Sequence, residues 1–223
     1  MGDSRRVFGR IDPYRGRRGL GDDETDREPA HHEELRGILD VRILFLGAPG
    51  VGKGTQAERV GEAMGIPHIS TGEMFRRHVG SRTSLGLRVA EILAQGDLVP
   101  DVLTVEMMLE RLRDPDTING YILDGFPRNL AQVHALDGAI GDYALDAVVV
   151  LEASNEVLKE RMLARGRADD TEESVSNRLD VYERETAPLI HLYRERGLVV
   201  SVDGVGDVEK ITASIQTALA GHF

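Results

Sequence analysis

The sequence predicts an α/β fold, a five-stranded parallel sheet with helices on both faces, on three observations. From Val41 onward, short apolar runs alternate with helical patterns, the signature of a doubly wound sheet. The first run, Val41-Arg42-Ile43-Leu44-Phe45-Leu46, passes directly into a glycine-rich turn and then a helical pattern. The chain has 223 residues, 41% of them hydrophobic, which is the size of one substantial domain with a well-buried core.

In chain order, strand 41–46 leads to a helix over 53–64, and a second strand at 66–69 to helices over 71–80, 84–95 and 102–113. Strand 120–123 ends at Asp124 and breaks at Gly125 and Pro127 before a helix over 129–138. Strand 146–151 precedes a helix over 154–165, a long helix is expected over 173–195, and strand 198–202 precedes a last helix over 206–220. Thr71, Asp101 and Ser154 stand where N-caps are expected.

Residues 1–40 read differently. Few are apolar, so they bury too little surface to offset the entropy of ordering and are expected to form a flexible extension. Its first twenty residues hold six arginines against two aspartates, and the next twenty hold two arginines against eight acids. No secretory h-region is present, and the acids fit poorly with an organellar transit peptide.

Charge and cysteine content narrow the function. A net charge of −11 argues against coating nucleic acid, which needs clustered Lys and Arg. No run of about 18 apolar residues spans a membrane, and the absence of cysteine excludes disulfides and thiolate metal sites. The expectation is a cytoplasmic protein with no nucleic acid, membrane or zinc.

Four stretches carry chemistry. In GAPGVGKGT, 47–55, a glycine-rich loop between strand and helix turns backbone N–H groups toward an anion, with the positive helix end behind them. Gly47, Gly50, Gly52 and Gly54 serve that turn, Lys53 reaches the β- and γ-phosphates of a nucleotide, and Thr55 lies close enough to join a phosphate or hydrated Mg²⁺. Gly54 separates Lys53 from Thr55, unlike the general P-loop pattern. In YILDGFPRN, 121–129, Asp124 ends a strand at the ligand edge of the sheet, where a carboxylate holds Mg²⁺ through water and Arg128 forks onto a phosphate.

In ISTGEMFRR, 69–77, Thr71 and Arg76 come from the same edge; a capped helix is the simpler alternative. In ERMLARGRADDTEESVSNR, 160–178, Arg161 and Arg165 share a helical face, Arg167 follows Gly166, and Arg178 falls on the next helix. Each alone reads as a surface arginine paired with Asp169, Asp170, Glu172 or Glu173. Beside the P-loop, the four look like a clamp on phosphates.

The chain from 41 to 223 resembles the nucleoside monophosphate kinases, most closely the adenylate kinases of short-lid type. The matching stretches are GAPGVGKGTQ at 47–56, STGEMFR at 70–76, GDLVPD at 96–101, LDGFPR at 123–128 with Gln132, RMLAR at 161–165, and RADD through Arg178. The resemblance implies a P-loop NTPase-type sheet, an AMP-binding segment over about 70–100 and a short lid over about 166–172. It implies reversible transfer of the γ-phosphoryl group of ATP to AMP with Mg²⁺, in a monomer whose partners are ATP, AMP and ADP.

By that resemblance Gly50, Gly52, Lys53, Gly54, Thr55 and Gly206 hold donor ATP, with Arg161 and Arg165 on its phosphates. Thr71, Arg76, Asp97, Leu98, Val99, Gly125, Arg128 and Gln132 form the AMP side. Arg167 and Arg178 neutralise the phosphoryl group in flight, Asp124 positions hydrated Mg²⁺, and Asp169 and Asp170 organise the lid arginines. None of the seven histidines falls in these motifs, so histidine chemistry is not implied.

Pyrimidine monophosphate kinases resemble the chain too, and Asn129 after FPR is common among them. Thr71 and Gln132 favour AMP, because a Gln amide pairs with both the donor and the acceptor of the adenine edge. A regulator that binds nucleotide without turnover would be expected to lack one of Lys53, Asp124 or the arginines. Relatives of this type begin with Met one residue before the Arg-Ile of the first strand, where this chain has Val41; residues 1–40 are either a real extension or an upstream reading of the gene.

Overall fold

The computed structural model describes residues 41–141, 145–167 and 169–223. The flexible extension expected over 1–40 lies outside the described residues, as does Ala168 of the expected lid. Five parallel strands form one sheet in the order β2-β3-β1-β4-β5, with β1 at Val41–Leu46, β2 at His68–Ser70, β3 at Gly120–Asp124, β4 at Ala147–Glu152 and β5 at Val199–Asp203.

The central strands β1, β3 and β4 are mostly apolar on both sides because both faces are covered. Along β1, Val41, Ile43 and Phe45 face one core, and Leu44 and Leu46 face the other. The first core is closed by α1 (Lys53–Met64), α6 (Asn155–Ala164), α7 (Glu172–Val181) and α9 (Val208–Ala220), through residues such as Val60, Leu158, Leu179 and Ile215. The second is closed by α4 (Asp101–Arg111), α5 (Leu130–Ile140) and α8 (Pro188–Glu195), through Met108, Val133, Leu136, Leu189 and Tyr193. Between β2 and α4, α2 (Thr71–Gly80) and α3 (Ser84–Gln95) pack a smaller cluster of Phe75, Val89, Val99 and Met107.

Register positions the site. Phe45 pairs with Asp124 and Ser70 pairs with Asp124 from the other side, so three strand ends meet where the chain order reverses across the sheet, the usual ligand crevice of such folds.

The expected long helix over 173–195 is broken. A π turn, Tyr182–Thr186, separates α7 from α8, and the Ala187 N–H reaches the Tyr182 carbonyl at 2.9 Å, five residues back. Pro188 at the start of α8 has no N–H to continue an α ladder. Two expected caps also fail. Ser70 and Pro100 occupy the N-cap positions, and Thr71 and Asp101 are the first helical residues, with side chains turned to other partners. Ser154 is the N-cap of α6 but makes no capping hydrogen bond. Side-chain caps occur instead at Thr83, Asn129, Thr171 and Asp207.

Candidate active site

The P-loop is shaped by its close approach to α6. Gly50 has φ 89°, and a Cβ there would lie 2.7 Å from the Leu158 carbonyl oxygen and 2.9 Å from Met162 Cγ, a space only glycine fits. Gly52 precedes α1 in a left-handed conformation, so the free N–H groups of the helix start stand at the loop with the positive helix end behind them. Lys53 folds across this loop, donating to Gly47 O at 2.7 Å and Ala48 O at 3.0 Å. Burial pulls its pKa down to about 8, against the attraction of Asp124 and helped by Arg128 and Arg165.

Asp124 lies beside the loop, its Oδ2 3.6 Å from where a Cβ on Gly54 would sit. His68 Nε2 stands 3.5 Å from the same oxygen, both side chains being mostly buried. The nitrogen has no hydrogen-bond partner of good geometry, so the contact is electrostatic. Burial alone would lower the His68 pKa, but the Asp124 carboxylate outweighs it and raises the imidazole above its usual value. Burial alone would raise the Asp124 carboxyl, but His68, Lys53 and Arg128 hold it below the ordinary range.

A cleft of about 610 Å³ opens over these groups, and Arg76, Arg128, Arg161, Arg165, Arg167 and Arg178 line it together with Lys53, Thr55, Asp97, Leu98, Asp124 and Gly206. At one end Arg161 Nη1 donates to Gly204 O at 2.9 Å and Val51 O at 3.3 Å, bridging the P-loop and the turn after β5. Between α6 and α7, Asp170 holds Arg165 through two bonds of 2.6 and 2.8 Å and Arg178 through one of 2.7 Å. Arg178 also pairs with Asp169. Thr171 caps α7 reciprocally with Ser174, which fixes the turn that carries both acids.

At the other end Arg128 Nε donates to Gly125 O at 2.8 Å, and Gly125 has φ 80° with no room for a Cβ against Arg128 and Thr71. The Thr71 hydroxyl donates to the same carbonyl at 2.8 Å, and Thr186 from the π turn donates to Arg128 O at 2.8 Å.

Thus the expected phosphate residues converge on one cleft, while some expected base-side residues do not line it. Thr71 and Gln132 are 2% and 1% exposed, and Val99 is packed in the α2–α3 cluster. Asp97 accepts from Asn177 Nδ2 at 2.8 Å, tying the loop after α3 to α7. His68, Asn177 and Thr186 carried no signal in the sequence. His68 precedes a matched motif, but its meeting with Asp124 depends on β2 pairing with β3, and strand order is not written in local pattern.

A glycine-rich loop with its lysine, a strand-end carboxylate and six guanidiniums around one crevice define a P-loop protein whose cleft concentrates the positive charge that phosphates need. The adenylate kinase family model matches residues 45–198. The chain is 50% identical over 181 residues to an adenylate kinase of Bifidobacterium longum, covering 78% of this chain and 97% of that protein. It is 46% identical to an adenylate kinase of Rhodococcus erythropolis over 80% of this chain and 99% of that one. An adenylate kinase of Leifsonia xyli is 49% identical, over 80% and 92%. The chain belongs to the adenylate kinase family.

Proposed function

We propose that the chain transfers the γ-phosphoryl group of Mg·ATP to AMP, reversibly, giving two ADP. The carrying observation is the ring of Lys53 and six arginines around one cleft in a chain of this family. Phosphoryl transfer needs little covalent help from protein; positioning and charge neutralisation supply most of the catalysis. On this reading the P-loop amides and Lys53 seat the donor β- and γ-phosphates, with Arg161 and Arg165 on their outer side. Arg76 and Arg128 hold the acceptor phosphate, and Arg167 and Arg178 meet the charge that spreads over the group in flight.

The carboxylate set fits a metal carried by the substrate. Among the described residues no cluster of three His, Cys, Asp or Glu forms a metal cage, whereas a lone carboxylate beside a phosphate loop suits Mg²⁺, which keeps waters and substrate phosphates as ligands. Asp124 is the residue that would hold it, through water. Bound there, Mg²⁺ would neutralise charge on the β- and γ-oxygens.

Closure of a segment over about 70–100 and a lid over about 166–172 excludes water, to which the γ-phosphate would otherwise be lost. Among the described residues no helix is long and apolar enough to cross a membrane, and we read the chain as a cytoplasmic monomer. Gln132 and Thr71 favour adenine at the acceptor. The test is a coupled assay of ADP formation from Mg·ATP with AMP, CMP, UMP or GMP, beside Lys53→Ala. Turnover with AMP that falls by about a thousandfold in the variant is expected. Preference for CMP or UMP would overturn the base assignment, and no turnover with any acceptor would overturn the reaction.

A further inference from the structure

Gln132 is nearly fully buried, and both ends of its amide are committed to partners of opposite kind. Its Oε1 accepts from the Arg128 backbone N–H at 2.8 Å. Its Nε2 donates to Asp101 Oδ1 at 2.7 Å. A backbone N–H only donates and an ionised carboxylate only accepts, so the amide has one permitted orientation. Asn129 strengthens the lock, because its Nδ2 donates to the same Asp101 oxygen at 2.9 Å and its Oδ1 accepts the Gln132 backbone N–H at 2.9 Å.

We propose that Asp101, through the Asp101–Gln132–Arg128 chain, fixes the Gln132 amide so that it accepts 6-aminopurine monophosphates and rejects 6-oxopurine ones. This rests on the reading of Gln132 as the base contact. Beyond the bonds it makes, the amide retains one Nε2 proton and one Oε1 lone pair. In adenine, position 6 donates and position 1 accepts, so one amide orientation satisfies both. In hypoxanthine or guanine, position 6 accepts and position 1 donates, which calls for the amide turned by 180°. The turned amide would set Oε1 against the Asp101 carboxylate and Nε2 against the Arg128 N–H, two repulsive contacts in a buried place. Without Asp101 only the Arg128 N–H opposes the turn, and the glutamine reads the two base classes more evenly. Asp101 is therefore a positioning residue that acts on the base through Gln132.

The experiment compares AMP with IMP, which differ at this edge alone. The ratio of kcat/KM for AMP to that for IMP, at saturating Mg·ATP, is measured in the wild type, Asp101→Ala and Asp101→Glu, with Asp101→Asn used if the alanine variant does not fold. We expect the ratio to fall at least about tenfold in Asp101→Ala or Asp101→Asn and to stay near wild type in Asp101→Glu, which restores an acceptor-only group. A residue that merely ties α4 to α5 would lower both substrates together and leave the ratio alone, and an unchanged ratio in a folded variant overturns the proposal. Calorimetric Kd values for AMP and IMP are taken in parallel. A wild type without AMP turnover refutes the proposed reaction, and the Kd ratio still decides the lock.

Discussion

At the P-loop, Lys53 rests on the carbonyl oxygens of Gly47 and Ala48; across the cleft, Arg165 and Arg178 are held by the carboxylates of Asp169 and Asp170. Lys53 is bonded to neutral carbonyl dipoles, with the Asp124 carboxylate near but not paired to it, so on the proposed reading an arriving phosphate breaks no ion pair. Arg165 and Arg178 already face two carboxylates, and on the proposed reading a phosphate must share them. One end is built for shape and the other for exchange of charge. A change of backbone should therefore injure the first, and a change of charge the second.

Removing a lid cation should have the largest effect. Arg165→Ala is expected to lower kcat by about a hundredfold or more while raising the KM for AMP much less, because on the proposed reading the lost interaction is with the donor phosphates. Steady-state kinetics with each substrate varied checks this, and a rise confined to the AMP KM would place Arg165 on the acceptor side.

Next, Gly50→Ala tests the loop as a shape. Its Cβ would meet the Leu158 backbone at 2.7 Å in a residue with positive φ, so we expect about 2–4 kcal/mol of destabilisation. A thermal melt should show Tm lower by about 5–10 °C, whereas an unchanged Tm would mean that the loop has room to move away from α6.

A pH series separates the two ends further. Lys53 is charged below a pKa of about 8 in the free protein, so kcat/KM for Mg·ATP should fall as pH rises above about 8, by up to about tenfold per unit. With ATP saturating, the proposed donor phosphates would hold Lys53 protonated, and kcat/KM for AMP should stay flatter. Equal slopes for both substrates would remove Lys53 as the donor-side group.

The smallest effect is expected at His68, beside Asp124. Its folded pKa is raised above the ordinary 6.5, so its contribution to stability is complete below the unfolded pKa and is lost as pH rises through the folded value. The Tm difference between wild type and His68→Asn should therefore be greatest below pH 6.5 and shrink above it. A difference independent of pH would make His68 a packing residue only.

The glycine-rich stretch 47–54, the strand ending at Asp124 and the arginines of 161–178 were legible because their chemistry is local, a turn, a strand end and a helix face. Asp101 was readable as a cap and as the end of the GDLVPD stretch, neither of which points to its partners, and it accepts from Asn129 and Gln132, 28 and 31 residues away. The break at 182–186 was missed because helical periodicity continues on both sides of it and Pro188 follows the bulge that it accompanies.

By itself the sequence determined the alternation of strands and helices, the anion loop and the inventory of cations, since each depends on residue type and short spacing. Only the tertiary structure decided that β3 lies between β1 and β2, which brings His68 to Asp124, and that the Asp101 carboxylate fixes the Gln132 amide. Those partners are chosen by packing across the sheet and between helices, where distance in the chain carries no information about distance in space.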